Sequence, residues 1–162
     1  MIDSVVELGS KYLLNVRFVV CKVALALHIF VDRFERRENA MSQDKTEVTR
    51  VVNLYIDGAG NGNADQLNEA FHNSAHWFGS ADGVDYDMDK ESFVTYMVGT
   101  PGKPSSAKIV DIQIVGAAAT ATVEEEGFWG SLSFTNYLSL AILDGRWQIT
   151  CKTFAHTGGT HA

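Results

Sequence analysis

"SLSFTNYLSLAILDGRWQITCKTFAH", residues 131–156, is the stretch that decides the fold of this chain. Its two halves, 131–143 and 146–156, are runs of alternating or continuously apolar residues, which are typical of β-strands. The pair Asp144-Gly145 separates them, and Asp-Gly between two such runs is a strong signal for a tight β-hairpin. The stretch therefore predicts two long, paired antiparallel strands.

Two further strand patterns lie upstream of this hairpin. They are "AKIVDIQIVG" at 107–116 and "AATATVEEEGFWG" at 118–130, with Gly116 at their junction. Helical patterns precede them, because apolar residues from Val48 to Ile56 recur on one helical face. Helices followed by a meander of four longer strands predict an α+β fold in which a curved antiparallel sheet wraps around N-terminal helices. A sheet of this kind tends to leave a cavity between itself and the helices.

Three glycines at alternate positions, Gly58, Gly60 and Gly62, lie between the first two predicted helices. A phosphate-binding loop would follow a strand and open a helix, with a Lys-Ser/Thr pair after its glycines. Here the glycines follow a helical pattern, and no such pair succeeds them. They predict a helix stop, a short turn and a restart at Asn63 or Asp65.

Three shorter elements complete the pattern between the glycines and the meander. "ADQLNEAF" at 64–71 predicts a short helix, and "SAHWFGS" at 74–80 predicts a short strand. Alternation along that strand places His76 and Phe78 on the same face. The segment after it predicts a turn, followed by a helix with Asp89 as its N-cap.

Residues 1–40 differ from the rest, because their apolar residues follow a heptad-like spacing and also cover other helical faces. Polar and charged residues interrupt this run, so it fits a membrane span poorly. A polar stretch that looks like a natural protein start, "MSQDKTEVTRVVNLY", begins at Met41. We therefore expect the functional domain at 41–162, and at 1–40 either a packed accessory helix or a mis-called upstream extension.

Composition restricts the classes of function. The chain has 162 residues, which suits one domain, and a formal net charge of -7. Because it also lacks a clustered basic face, we expect no nucleic-acid partner. Cys21 and Cys151 lie far apart and have no zinc-binding spacing, so we interpret both as buried thiols of a reducing compartment. We expect a cytoplasmic protein without a metal or another cofactor.

Three stretches carry a resemblance to a known superfamily. They are "VVNLYIDGAGNGNADQLNEAFHNSAHWFG" at 51–79, "DMDKESFVTYM" at 87–97 and "FTNYLSLAILDGRWQITCKTF" at 134–154. In this order they resemble the first helices with their Gly-rich joint, the third helix and the final hairpin of the nuclear transport factor 2-like superfamily. Within it, the chain looks most like the putative lumazine-binding family and its SnoaL-like neighbours. The likeness spans roughly 46–156.

The resemblance implies a cone-shaped α+β fold with a six-stranded curved sheet and a pocket at the wide end. It also implies a homodimer through the sheet, which is common in the superfamily. It does not imply one reaction, because the superfamily includes ketosteroid isomerases, dehydratases, polyketide cyclases and proteins without catalysis. Whether this chain is an enzyme is therefore left open.

Tyr55 matches the position at which ketosteroid isomerases hold a tyrosine that donates a hydrogen bond to a developing enolate. The resemblance also implies an aspartate base at the end of the first short strand, where this chain has Gly79 between Phe78 and Ser80. None of these three residues can take a proton, so we do not expect the steroid-isomerase reaction. Tyr55 is then either a packing residue with its hydroxyl at a cavity rim or a polar anchor for a ligand.

Other side chains could supply acid–base chemistry. His76 has a suitable intrinsic pKa for a general base if it points into the pocket, and is otherwise structural. Alternation sends Glu125 to one face and both Glu124 and Glu126 to the other. The face that lines the pocket would hold a candidate acid or base; otherwise the run is a solvated strand end. Asn136 stands where the relatives often carry Asp, and it could anchor a ligand by hydrogen bonds.

We expect the ligand pocket to be lined mainly by aromatic residues and a few polar anchors: Tyr55, His76, Phe78, Phe93, Tyr96, Met97, Phe128, Asn136 and Tyr137. Such walls suit a small apolar or aromatic ligand. The first hypothesis is a small-molecule-binding protein. The second is an isomerase, dehydratase or cyclase, which a buried His76 or Glu beside Tyr55 in an open pocket would favour. The third is a non-catalytic dimeric interaction module, which a pocket filled by aromatic side chains would favour.

Overall fold

A computed structural model describes the backbone of residues 2–81 and 83–160 and the side chains of residues 28–81 and 83–160. The chain divides into two compact units, Met1–Ser42 and Gln43–Ala162. The sheet lies entirely in the second unit. The elements in chain order are α1 (Ile2–Asn61), α2 (Ala64–Ala70), β1 (Phe71–Ala81), β2 (Val84–Asp89), α3 (Lys90–Gly99), β3 (Ser106–Val115), β4 (Ala118–Phe128), β5 (Leu132–Leu143) and β6 (Arg146–Gly158).

Helix α1 is longer than either helix predicted from the sequence, because it contains residues on both sides of Met41 without a break. Within the second unit, its buried face recurs at spacings of three and four residues: Val48, Val51, Val52, Tyr55 and Ala59. In the part of the chain whose side chains are described, no helix is both long and apolar enough to cross a membrane. The heptad-like apolar positions before residue 28, and the thiol of Cys21, lie outside the described side chains.

The glycines after Tyr55 form a helix end and a joint, although they do so differently from the prediction. Gly58 and Gly60 lie inside α1, which ends only at Asn61. Gly62 has a φ of +68°, which a glycine adopts without strain, and it separates α1 from α2. The predicted restart at Asn63 is confirmed, because its side chain accepts hydrogen bonds from the first backbone N–H groups of α2.

The six strands form one sheet in the order β2-β1-β6-β5-β4-β3. All neighbours are antiparallel except β1 and β6, which are parallel. The predicted α+β fold, a curved sheet with N-terminal helices, is confirmed; the parallel pair is its difference from a wholly antiparallel sheet. Parallel neighbours need a long connection, and here β2, α3 and the first three strands of the meander lie between β1 and β6.

The hairpin predicted at Asp144-Gly145 is confirmed. The φ angles of these two residues are 51° and 75°, the left-handed pair that a type I′ turn requires. Leu143 pairs with Arg146 across the turn. The pairing of the two longest strands, β5 and β6, therefore depends on a local turn that the sequence itself indicates.

The β1–β2 region is where the prediction was least accurate. β1 begins at Phe71, because the cap residue of α2 already has extended backbone angles, with φ -98° and ψ 138°. His72, which directly follows the helix predicted at 64–71, therefore lies in a strand. The segment predicted as a turn contains β2, an edge strand whose residues are all exposed or half-buried. Such a strand has no buried alternate face for a sequence pattern to reveal.

Helix α3 is the third helix of the domain and contributes side chains to the cavity. Its predicted N-cap is confirmed, because the Asp89 carboxylate accepts a hydrogen bond from the backbone N–H of Ser92 at 2.8 Å. Phe93 and Met97 lie one helical turn apart and are both buried. These side chains, together with Tyr55 of α1, face the inner surface of the sheet and position the site described next.

Candidate functional site

A cavity lies between the helices and the inner face of the sheet, within the unit Gln43–Ala162. The space between its atoms, including the part that is open to solvent, is about 410 Å³. The free volume available to water molecules inside it is only about 20 Å³. That is room for about one water molecule. The wall is mostly aromatic: Trp77, Tyr86, Phe93, Tyr96, Phe128, Trp129, Phe134 and Phe154.

Most neighbouring aromatic rings of this wall pack edge to face, whereas the pairs Tyr86–Tyr96, Tyr86–Phe154 and Trp77–Phe154 are tilted. The ring centroids of Trp77 and Phe93 are 3.7 Å apart, and those of Phe134 and Phe154 are 5.5 Å apart with an interplanar angle of 86°. This geometry places the positive edge of one ring on the negative face of the next. The packing explains why the cavity is narrow although many residues line it.

Three polar side chains meet at the base of the cavity, and we call Tyr55, Glu125 and Asn136 the polar floor. The Asn136 Nδ2 donates hydrogen bonds to Glu125 Oε2 at 2.9 Å and to the Val123 carbonyl oxygen at 3.5 Å. The Tyr55 hydroxyl donates to the same Glu125 oxygen at 3.4 Å. The Glu125 side chain belongs to a residue that is only 2% exposed. A carboxyl group is thus held in an apolar cavity by one amide and one phenol.

Lys152 brings an amine to the same cavity. The residue is 3% exposed, and its Nζ lies 4.2 Å from the ring centroid of Trp77 and 4.7 Å from that of Phe154. The Tyr55 ring is 5.4 Å away. Among the described residues, no carboxylate oxygen is within salt-bridge distance of this Nζ. Ring faces therefore supply its immediate surroundings, and they attract a cation.

Burial dominates the protonation behaviour of these groups. It lowers the pKa of Lys152 from 10.5 to about 7, although the Glu125 charge acts in the opposite direction. Burial raises the pKa of Glu125, while Lys152 and the hydrogen bonds from Asn136 and Tyr55 lower it. Burial and the neighbouring Glu125 charge raise the pKa of the Tyr55 phenol well above 10. A buried acid and a buried amine thus both have perturbed pKa values in one cavity, which is a feature of functional sites.

Three buried polar atoms of the cavity have no hydrogen-bond partner among the described residues. They are Trp77 Nε1, Glu125 Oε1 and Asn136 Oδ1. Buried polar groups in proteins are nearly always paired, and an unpaired one costs about 1–3 kcal/mol. One donor and two acceptors are therefore available to a molecule that enters the cavity.

Strand alternation explains how the sheet supplies this floor. Every second residue of β4 faces inward, so Val123 and Glu125 are buried while Glu124 and Glu126 are exposed. The predicted separation of the three glutamates is therefore confirmed. Asn136 of β5 pairs in register with Val123, which places its amide diagonally across from Glu125.

Six of the nine residues expected in the pocket line this cavity. They are Tyr55, Phe93, Tyr96, Met97, Phe128 and Asn136. They come from α1, α3 and strands β4 and β5, and the fold brings them together although as many as 81 positions separate them in the sequence. The structure thus assembles one aromatic cavity from these positions.

The other three residues, His76, Phe78 and Tyr137, lie outside the cavity. His76 and Phe78 are on the opposite face of β1 from Trp77, and their rings stack with centroids 5.6 Å apart. The Nδ1 of His76 lies 3.4 Å from Asp87 Oδ1 at the exposed edge of the sheet. Tyr137 is 53% exposed, because it follows the inward-facing Asn136 by one residue. The alternation was predicted for each strand, but the face that lines the cavity was not.

Lys152 was not singled out in the sequence, and a β-bulge explains why. Trp147 and Ile149 are buried, and simple alternation from them would send Lys152 outward. The register of β5 with β6 shifts between Ser139 and Leu140, which inserts one extra residue into β6 before Lys152. The inward face therefore changes from odd to even positions. The apolar Phe154, two residues further, was the available signal for this change.

The position of the aspartate base in ketosteroid isomerases is occupied differently here. A Cβ atom on Gly79 would overlap the ring of Phe154 from the neighbouring strand. Phe154 pairs in register with Gly79, so the glycine lets this ring cover β1. The acid of this cavity is instead Glu125, which reaches it from β4.

The described side chains suggest what the cavity can hold. Among them, no group of three His, Cys, Asp or Glu residues converges in a way that could bind a metal ion. The aromatic wall suits an apolar, flat molecule, and the polar floor and Lys152 can exchange hydrogen bonds or protons with it. Hydrogen bonds join the three side chains of the polar floor to one another within a mostly apolar cavity.

Comparisons with known proteins agree with this architecture. The family described as putative lumazine-binding matches residues 43–155. A nuclear transport factor 2-like protein of unknown function from Methylobacillus flagellatus has 30% identity and a TM-score of 0.63, and the match covers 72% of this chain and 94% of that one.

Two further solved structures show the same fold at lower sequence identity. A protein of this type from Shewanella baltica has 22% identity and a TM-score of 0.66, with 73% of this chain and 97% of that one covered. Another from Silicibacter pomeroyi has 19% identity and a TM-score of 0.66, with 72% and 98% covered. No curated protein sequence matches the chain. The chain belongs to the putative lumazine-binding family of the nuclear transport factor 2-like superfamily.

Proposed function

We propose that the unit Gln43–Ala162 binds a small, flat and mainly apolar molecule in the aromatic cavity. The observation that carries this proposal is the set of three unpartnered polar atoms, on Trp77, Glu125 and Asn136. Each is buried in the cavity wall or floor, where water has little room. A ligand that pairs them would recover part of the free energy that their burial costs.

The polarity of these atoms restricts the ligand. Trp77 Nε1 can only donate, whereas Glu125 Oε1 in its ionised form and Asn136 Oδ1 can only accept. The ligand should therefore carry at least one acceptor and one N–H or O–H donor along one edge. A heteroaromatic ring or a phenolic polycycle meets both conditions, because its faces can stack on the wall while its edge reaches the floor.

The cavity must widen before such a ligand enters. Its present free space suits about one water molecule, so a ring-sized molecule has to displace side chains. The rings of Tyr86 and Tyr96, whose centroids are 6.5 Å apart, are only half-buried. We propose that these two tyrosines move aside, and that the buried floor stays in place.

Ligand-induced thermal shifts of the full chain test the proposal. The panel contains flavin, lumazine, steroid and polyketide-like aromatic compounds, and a true ligand should raise the midpoint with concentration. Trp77→Phe should reduce that rise, because it removes the unpaired donor while keeping an aromatic ring. Trp147→Phe is the matched control, since the Trp147 indole already donates to Asp44 at 3.0 Å. No rise for any compound, or equal rises for both variants, would contradict the proposal.

A second candidate function is acid–base catalysis by an isomerase, dehydratase or cyclase of this fold. The observation that favours it is the Glu125 carboxyl beside the Tyr55 hydroxyl in an apolar cavity, with a raised pKa. Such a carboxyl can exchange a proton with a bound substrate. Turnover of a compound from the panel that is lost in Glu125→Gln, with binding retained, would support this function. Binding without turnover in the wild type would leave only the first proposal.

The third candidate is a homodimer through the sheet, which the resemblance implies. It is favoured by Tyr137, a large side chain exposed on the outer face of the central strand β5. Light scattering of the full chain and of Tyr137→Arg tests it directly. A dimer that the substitution splits would support the proposal, and a monomeric wild type would contradict it.

A further inference from the structure

We propose that Lys152 is an amine nucleophile that forms an imine with small uncharged aldehydes in the cavity. The proposal rests on the proposed ligand-binding function of the cavity and adds a reaction class to it. It is carried by the position of an amine that faces aromatic rings, in the same cavity as a buried carboxyl group, where there is room for about one water molecule.

The Lys152 amine has no close ionic partner among the described side chains. Among the described residues, Lys152 Nζ has neither a carboxylate at salt-bridge distance nor a hydrogen-bond acceptor. A purely structural buried lysine usually has both, because an unpaired buried charge is costly. The carboxyl group of the same cavity, that of Glu125, instead accepts hydrogen bonds from Asn136 and Tyr55. The lone pair of the neutral amine is therefore not engaged by another group.

The surroundings of Lys152 also favour the neutral, nucleophilic form of its amine. The amine is buried among ring faces, and burial lowers its pKa to about 7. About half of the amine is then neutral at pH 7, which is about a thousandfold more than for an ordinary exposed lysine. Desolvation in an apolar pocket is the usual way in which a lysine is activated for Schiff-base formation.

The reaction can be written with the groups present. The Nζ lone pair attacks the aldehyde carbon, and the C=O π bond opens to give a carbinolamine. Glu125 in its acid form donates a proton to the departing hydroxyl, which leaves as water, and the carboxylate then regains a proton that the nitrogen loses. The net change is one amine and one aldehyde giving one imine and one water, without an oxidant or reductant. The free Trp77 Nε1–H can donate to the carbonyl oxygen during the attack.

The size of the cavity selects the probe. Space for about one water molecule suits acetaldehyde better than an aromatic aldehyde. The full chain is treated at pH 7 with acetaldehyde and sodium cyanoborohydride, which reduces an imine to a stable ethylamine. Peptide mass spectrometry then measures the ethylated fraction at each lysine. Lys108, which is exposed on β3, is the internal reference.

We expect initial ethylation of Lys152 to exceed that of Lys108 by at least about tenfold, and the preference to disappear in denaturing urea. Ethylation of Lys152 at or below the level of Lys108 in the folded protein would overturn the proposal. If compounds of the thermal-shift panel still bind in that case, the binding function stands and only the nucleophile fails. If neither is seen, both fail.

Glu125→Gln separates proton transfer from simple charge pairing. The Glu125 charge raises the pKa of Lys152, so its removal should leave more neutral amine. If Glu125 only influenced that charge, ethylation in the variant would become faster at pH 6. We expect it to become slower by about tenfold or more, because the acid that assists departure of water is lost. Faster ethylation would contradict the role of Glu125 in the reaction.

Discussion

Replacing Lys152 with Met should change how the free energy of unfolding depends on pH. The pKa of this side chain is about 7 in the folded protein, whereas that of a freely solvated lysine is 10.5. Between these two values the unfolded chain binds a proton that the folded chain does not. Stability of the wild type must therefore rise with pH in this window, because the unfolded state binds more protons.

The expected magnitude follows from the same two values. One pKa unit corresponds to about 1.4 kcal/mol, so wild type minus Lys152→Met should rise by about 1.4 kcal/mol from pH 8 to pH 9. Below pH 7 the folded wild type must carry the buried ammonium, which costs about 5 kcal/mol relative to pH above 10.5. The Met variant should therefore be the more stable protein at pH 6.

Urea unfolding followed by tryptophan fluorescence at pH 6, 7, 8 and 9 measures this difference. All three tryptophans lie in the unit Gln43–Ala162, so the signal reports on that unit. Glu125 also contributes a pH dependence, and the comparison is repeated in a Glu125→Gln background to remove it. Parallel stability profiles for wild type and Lys152→Met, in both backgrounds, would refute the reasoning.

Three further substitutions test packing, the polar floor and a helix cap by urea unfolding. Gly79→Ala should lower the free energy of unfolding by about 1–3 kcal/mol, because the added Cβ overlaps the Phe154 ring. In a Phe154→Leu background the same substitution should cost less, and an equal cost in both backgrounds would contradict this contact. Asn136→Asp should lower the free energy of unfolding by about 1–3 kcal/mol more at pH 8 than at pH 5, because a second carboxyl group then has to ionise beside Glu125. A loss of stability that does not depend on pH would contradict the contact between residues 136 and 125. Asn63→Ala should cost about 0.5–2 kcal/mol through the lost N-cap, whereas an unchanged midpoint would mean that the cap contributes nothing.

Much of the fold could be predicted because its signals are local. The Asp144-Gly145 turn, the Asn63 and Asp89 caps and the alternation in β4 each depend on a few neighbouring residues. β2 could not be predicted, because an exposed edge strand leaves no buried face in the sequence. The continuation of helix α1 through Gly58 and Gly60 was not predicted either. Tertiary packing around these two glycines outweighs their low helix propensity.

The candidate site could be predicted only in part, for reasons of register and charge. Strand alternation puts Asn136 and Tyr137 on opposite faces of β5, but both were expected in the pocket, because the sequence does not show which face lines the cavity. A bulge in β6 turned Lys152 inward, and the residues before Lys152 give no sign of it; the apolar Phe154 after it is the signal that the sequence offers. The solvated interpretation of Glu125 followed the general rule that charged residues face water. The burial of Glu125 and Lys152 is a tertiary property, because it depends on the other groups that the fold brings to the cavity.

The central claim, that the cavity binds a ligand through its unpaired polar atoms, is tested most directly by the indole N–H signals of the ¹⁵N-labelled protein. The panel compound that gives the largest thermal shift is titrated, and the three tryptophan signals are followed. We expect a large downfield shift of the Trp77 Nε1–H as it gains an acceptor, with little change for Trp147, whose N–H is already bonded to Asp44. A Trp77 signal that stays unchanged at saturation, or that moves no more than that of Trp147, would contradict it.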